Sequence, residues 1–251
     1  MQIEPWLRAI IGDADMPARR IKPSRYSITG YVSTTKAPVA QEAESTLEQD
    51  FMTLLEHDRT VEKFLAQPFT IRWRDQRGRQ CRYTPDVIVK YASGASRDGV
   101  PLRTSIFEVK PLEVLRENWG ELRPKFKAAI GWAREFGGIF HLVTEREIRT
   151  PYLKNVTFLG RYRNRFLPED GELIAFRQDL ILRTLADLGE TTPRGLLEAM
   201  NPDPWQQAEL LPWVWNLTLQ QLIGVDLSEP LTMESRIWCV YQPSGGSNIH
   251  A

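Results

Sequence analysis

The chain has 251 residues, 42% apolar and 25% charged, with 32 basic and 32 acidic side chains in balance, the composition of a globular protein large enough for one sizeable domain or two small ones. No apolar run approaches the ~18 residues that span a bilayer, and acids stand where a secretory leader would carry its apolar core, so the cytoplasm is the expected compartment. Two cysteines and three histidines, all scattered, leave no CxxC or zinc pattern, so any metal is expected to be a hard cation held by oxygen.

The charge is unevenly spread. Residues 171–251 hold four Arg and no Lys against ten acids, whereas residues 1–170 hold 28 basic and 22 acidic residues. A basic first part can approach phosphate and an acidic second part repels it, which suggests two domains with different partners.

Residues 1–40, broken by Pro17, Pro23, Gly30 and Pro38, are expected to form an extended arm. Its Arg19, Arg20, Lys22, Arg25 and Lys36 are candidate DNA contacts. Residues 41–57 show apolar Leu47, Phe51, Leu54 and Leu55 at helical spacing, with Glu44 and Glu48 on a shared face. Strands are expected at 69–73, 81–84, 87–91, 104–110 and 140–144, with a turn at 75–78 and a loop at 93–103. A helix is expected over 113–136, divided at Gly120 or Pro124, and another begins near 145. Strands alternating with helices indicate an α/β core. After about residue 170 the pattern becomes helical, at 172–188, 193–200 and 205–223, the last interrupted near Pro212. A hairpin around 225–241 completes the order of a winged helix-turn-helix. The four tryptophans Trp205, Trp213, Trp215 and Trp238 are expected in core and interface positions, and His57 and His141 in structural ones.

The chemically informative pattern is Pro85-Asp86 followed 22 residues later by Glu108-Val109-Lys110. Alternate strand residues share a face, so Glu108 and Lys110 point one way with Ile106 and Val109 points the other. Two charges on an apolar strand are costly unless paired, hydrated or bound to a cation. A cross-strand ion pair would explain Glu-x-Lys equally well. Asp86, at the head of a neighbouring strand, brings a second carboxylate, and Glu48 from the first helix can add a third. Such a set suits magnesium, which binds through few carboxylates and keeps its waters, and would serve phosphodiester hydrolysis with Lys110 beside the attacking water. Gln67 could contact phosphate.

These segments resemble the TnsA endonuclease subunit of TnsABC-type heteromeric transposases. The resemblance rests on Ile28–Lys36, on Glu44-Ser-Thr-Leu-Glu48-Gln-Asp50, on Val61 with Gln67-Pro68, on Tyr83-Thr-Pro-Asp86 and Phe107-Glu-Val-Lys-Pro111, and on Val143–Ile148 with Asn155–Arg163. It implies an α/β restriction-endonuclease-like core of the PD-(D/E)xK type followed by a mostly helical winged-helix-like domain. The corresponding division is an arm at 1–40, a catalytic domain at 41–168, a winged-helix-like domain at 169–242 and a disordered tail at 243–251. It implies that Glu48, Asp86, Glu108 and Lys110 are catalytic, with Asp86, Glu108 and Glu48 holding Mg2+ or Mn2+. Some relatives carry Gln at the position matching Glu108. The resemblance further implies hydrolysis of the 5′, non-transferred strands at transposon ends, beside a TnsB-like transposase and a TnsC-like AAA+ ATPase that meets residues 169–242. The alternatives left by the residues themselves are a stand-alone restriction or resolvase-type endonuclease, and a non-catalytic DNA-binding adaptor with a structural ion pair.

Overall fold

A computed structural model of the chain describes Arg8 and residues 30–75, 77–164 and 171–240. Arg19, Arg20, Lys22 and Arg25, named above as DNA contacts, and the 243–251 tail lie outside the described residues. The chain divides into two compact units, Met1–Arg149 and Thr150–Ala251.

The first unit runs β1 (Gly30–Val32), β2 (Gln41–Ala43), α1 (Thr46–His57), β3 (Val61–Ala66), β4 (Ile71–Arg74), β5 (Gln80–Tyr83), β6 (Val87–Tyr91), β7 (Ser96–Arg97), β8 (Val100–Pro101), β9 (Ser105–Val109), α2 (Leu112–Glu135), β10 (Ile139–Val143) and α3 (Glu145–Ile148). Its centre is a four-stranded mixed sheet in the order β10-β9-β6-β3. β10 runs parallel to β9, whereas β6 is antiparallel to both β9 and β3. Neighbouring residues of β9 point to opposite faces, and each face meets a helix. Phe107 packs on Phe51 of α1, with ring centroids 5.0 Å apart. Ile106 joins Ile88 and the small Ala129 and Ala133 of α2 in one buried cluster. Both faces of β9 are therefore covered, and all five of its residues are buried.

Several elements differ from the sequence expectation. Helix α1 begins at Thr46 rather than 41, because Ser45 is an N-cap whose hydroxyl accepts from the Glu48 N–H, while residues 41–43 pair with β1. Strand β3 was not expected. Its Glu62 and Lys63 break the alternation, and the pairing with β6 slips between Val61 and Lys63, so period-two patterning is lost at a bulge. Helix α2 does depart from helical geometry, but at Asn118 (φ −111°, ψ 17°), upstream of Gly120 and Pro124.

The second unit comprises α4 (Pro151–Gly160), α5 (Gly171–Leu188), β11 (Glu190–Thr191), α6 (Pro193–Met200), α7 (Pro204–Leu219), β12 (Ile223–Val225) and β13 (Ile237–Cys239). The expected hairpin is a three-stranded sheet of order β11-β13-β12. Its core joins Ile181 and Leu185 of α5, Leu196 of α6, Trp213 and Leu217 of α7, and Ile237 of β13. Helix α7 continues through Pro212, because the seven consecutive buried residues Trp213–Leu219 anchor it despite the lost backbone bond. Of the four tryptophans, Trp213 and Trp215 are buried and Trp205 is 83% exposed. The sequence reading set a boundary at 168/169. Helix α4 instead packs with the second unit, where Leu159 meets Trp215 and Leu219. Asn155 reinforces that packing: its amide donates to the carbonyls of Leu227 and Glu229, and its oxygen accepts from Leu231 N–H. No helix among the described residues is long and apolar enough to cross a membrane.

Candidate active site

The register of the sheet brings the two halves of the motif together. Val87 lies opposite Phe107, so Asp86 and Glu108 meet at the same sheet end. The Asp86 backbone N–H donates to the Phe107 carbonyl at 3.1 Å. In return, Asp86 Oδ2 accepts from the Val109 N–H at 2.7 Å. The Asp86 carboxylate is thus fixed against the strand that carries Glu108 and Lys110. Lys110 follows β9 directly, and its own N–H is bound to the Val143 carbonyl of β10 at 3.0 Å.

Glu108 is buried to 1% exposure. Its Oε2 accepts from the Tyr83 hydroxyl at 2.6 Å. Its Oε1 faces two ammonium groups, Lys125 Nζ at 2.8 Å and Lys110 Nζ at 3.5 Å. Lys125 comes from α2 and also lies over the Tyr83 ring, 5.0 Å from its centroid. The ion pair of Glu-x-Lys therefore runs along one segment rather than across two strands, and it is part of a larger cluster with Lys125 of α2.

Electrostatics tie Glu48 to the same place. Burial raises the Asp86 pKa well above that of a free carboxylate, and the Glu108 and Glu48 charges add to it, against Lys110 and the Val109 N–H. Burial also raises Glu48, opposed by bonds from the Glu44 N–H and the Ser45 hydroxyl and by Lys110. Burial alone would lower Lys110, but Asp86, Glu108 and Glu48 outweigh it and hold the ammonium above its ordinary value. Tyr83 is raised by burial and by Glu108, so its phenol stays protonated and donates. Glu44 precedes the Ser45 cap and is half-buried, so it does not share the expected helix face with Glu48. Glu48 is buried, and its charge acts on Lys110 and Asp86. It also closes the N-terminus of α1, accepting from Glu44 N–H at 2.9 Å and Ser45 Oγ at 3.0 Å.

Two family models match the chain in succession. A TnsA-like endonuclease N-terminal model covers residues 58–145, and a TnsA endonuclease C-terminal model covers residues 147–227. The chain belongs to the TnsA endonuclease family. The N-terminal match includes Asp86, Glu108 and Lys110 and begins downstream of Glu48. The junction between the matches lies beside the Arg149–Thr150 division. Membership makes the mixed sheet with its covering helices a restriction-endonuclease-like α/β fold. No curated relative matches the chain.

The donor set of this TnsA site is chemically suited to a divalent cation. It offers oxygen alone, and the Glu108 and Glu48 charges add to the raised proton affinity of Asp86, a repulsion that a dication relieves. Among the described residues no three His, Cys, Asp or Glu side chains stand ready as a metal cluster. Magnesium does not require three, since it binds through one or two carboxylates and retains water.

The sequence reading missed Tyr83 and Lys125. Tyr83 lay inside the Tyr-Thr-Pro-Asp segment and was used there only for resemblance. Lys125 is 17 residues from Glu108 on another element, and nothing in a helical Lys marks it as site-facing. Gln67 is placed at the site: its N–H donates to the Asp86 carbonyl at 2.8 Å, its backbone has φ +44°, and its side-chain oxygen is buried without a partner. A non-glycine residue in this left-handed region is strained, a cost that often accompanies function. Lys36, another candidate DNA contact, directs its ammonium to the Leu55 carbonyl at 2.8 Å and the Asp58 carbonyl at the C-terminus of α1.

Proposed function

We propose that this TnsA-family protein is a Mg2+-dependent DNA endonuclease that hydrolyses the 5′, non-transferred strands at transposon ends. The observation that carries the reading is the bond from Val109 N–H to Asp86 Oδ2, which fixes the Pro-Asp motif against the Glu-x-Lys strand. Asp86 and Glu108 would hold the cation, with Glu48 adding negative charge nearby rather than a third ligand in this arrangement. When bound, Mg2+ (or Mn2+) would polarise the scissile phosphate and lower the pKa of a bound water. Lys110, kept protonated by the surrounding acids, supplies positive charge to the developing phosphorane. Tyr83 and Lys125 fix the Glu108 carboxylate from the side of α2. The strained Gln67, beside Asp86, would contact the DNA through its amide nitrogen.

The second unit, with α5, α6, α7 and a three-stranded sheet, supports a winged-helix-like reading. Its acidic balance suits a protein partner better than DNA, and we assign it to a TnsC-like AAA+ ATPase, with a TnsB-like transposase cutting the other strand. The site of action is the cytoplasm. The test is strand-specific cleavage of a transposon-end duplex with both partners supplied. Asp86→Ala and Lys110→Ala should each abolish 5′-strand hydrolysis and leave 3′ cleavage by the transposase. Full 5′ cleavage by either variant would sink the assignment.

A further inference from the structure

The hairpin of β4 and β5 stands at the catalytic end of the sheet. It follows β3, whose last residue Ala66 lies opposite Val87, and its second strand leads through Thr84-Pro85 into Asp86. Its inner face is rooted in the core: Ile71 and Tyr83 are buried with Phe69, Ile88 and Ile106, and Trp73 packs against them. The Thr70 and Thr84 hydroxyls meet at 3.0 Å at its base, and Tyr83 is held to Glu108. Its tip is fixed by Asp75, whose carboxylate accepts from the N–H groups of Arg77 and Arg79. The hairpin is therefore a rigid element that shares a wall with the site.

Its outer face is basic. Arg72, Arg74 and Arg82 project there and are exposed, joined at the tip by Arg77 and Arg79. Arg72 and Arg82 are in direct register across the two strands. Like charges opposed in this way destabilise a strand pair, so the arrangement calls for a reason other than stability. Asp75 is the only acid between Phe69 and Thr84, and Arg79 engages it at 2.7 Å. Guanidinium groups on a fixed strand offer forked donors to phosphate oxygens without a large ordering cost.

We propose that the outer face of this hairpin receives the phosphate backbone of the DNA duplex beside the scissile bond. The proposal rests on the nuclease reading above and adds the surface that carries the substrate. It places Arg72, Arg74 and Arg82 as contacts that set affinity and register but read no sequence.

The experiment is fluorescence anisotropy of a labelled random-sequence duplex with the full chain, in Ca2+, across a salt series from low ionic strength. The variants are Arg72→Gln/Arg74→Gln/Arg82→Gln, the same three changed to Lys, and Arg183→Gln in the second unit as a control. Each lost phosphate contact should flatten the plot of log affinity against log salt by about one, so the Gln variant should lose about three. The Lys variant should keep most of the slope, Arg183→Gln in the second unit should keep all of it, and the melting temperature of the Gln variant should not fall. An unchanged slope in the Gln variant, or no binding by the wild-type chain at low salt, overturns the proposal. Cleavage is scored separately. A chain that binds through the hairpin yet never cuts with its partners refutes the nuclease reading alone, and one that cuts with an unchanged Gln slope refutes the hairpin alone.

Discussion

Both units bury neutral polar groups, but among the described residues only the first buries carboxylates. In the first, Glu48 and Glu108 are buried carboxylates, Asp86 lies beside them with a raised pKa, and Gln67 is strained at their edge. In the second, the buried polar side chains among the described residues are the neutral Asn155, Asn216 and Thr218, each with hydrogen-bond partners. Buried amides satisfied by backbone carbonyls make a stable scaffold. Buried carboxylates that repel one another weaken the fold and are useful only where a cation or substrate offsets them. The contrast agrees with the proposal that chemistry belongs to the first unit and support or docking to the second.

The largest effects should separate the units. Asp86→Ala or Lys110→Ala should lower 5′-strand cleavage by about 10³-fold or more while circular dichroism and melting stay near wild type. Trp213→Ala, deep in the second core, should cost about 3–5 kcal/mol of stability, read by denaturant unfolding, and leave Mg2+ affinity of the folded protein unchanged. A shift in Mg2+ affinity there would break the separation. Asn155→Ala should cost about 1–3 kcal/mol, because the Leu227 and Glu229 carbonyls lose their donor. Hydrogen exchange should rise first around 227–231, and uniform exposure across both units would contradict the local role.

The smallest effect tests the repulsion directly. Asp86 has a folded pKa above its unfolded value, so its contribution to metal-free stability is present at low pH and is lost as pH rises through the raised value. Asp86→Asn keeps the acceptor for Val109 N–H and removes that charge. The metal-free variant should equal wild type at acid pH and melt about 2–4 °C higher at neutral pH, for a gain of about 1 kcal/mol. A variant less stable than wild type at neutral pH would show that the site is not electrostatically strained.

Much of this was legible in the sequence because it rests on local periodicity. Ile106-Phe-Glu-Val-Lys110 alternates, so the faces of Glu108 and Val109 followed from the pleat. The unexpected parts depend on contacts far apart in the chain. Strand β3 hid behind a bulge, α4 joined the second unit through Leu159 and Asn155, and Lys125 reached Glu108 from another element. The start of α1 moved because Ser45, a capping residue, decides it. Glu48 was nominated from its context, and its burial against Lys110 supports that choice over Glu44.

The central claim, that the buried acids of the first unit form a divalent-cation site, is tested most directly by titrating the metal-free full chain with Mn2+ and following free metal by electron paramagnetic resonance. The account predicts saturable binding, competed by Mg2+, that Asp86→Asn and Glu108→Gln each weaken sharply and Trp213→Ala leaves intact. Binding that is absent in the wild-type chain, or unchanged in both acid variants, would contradict it.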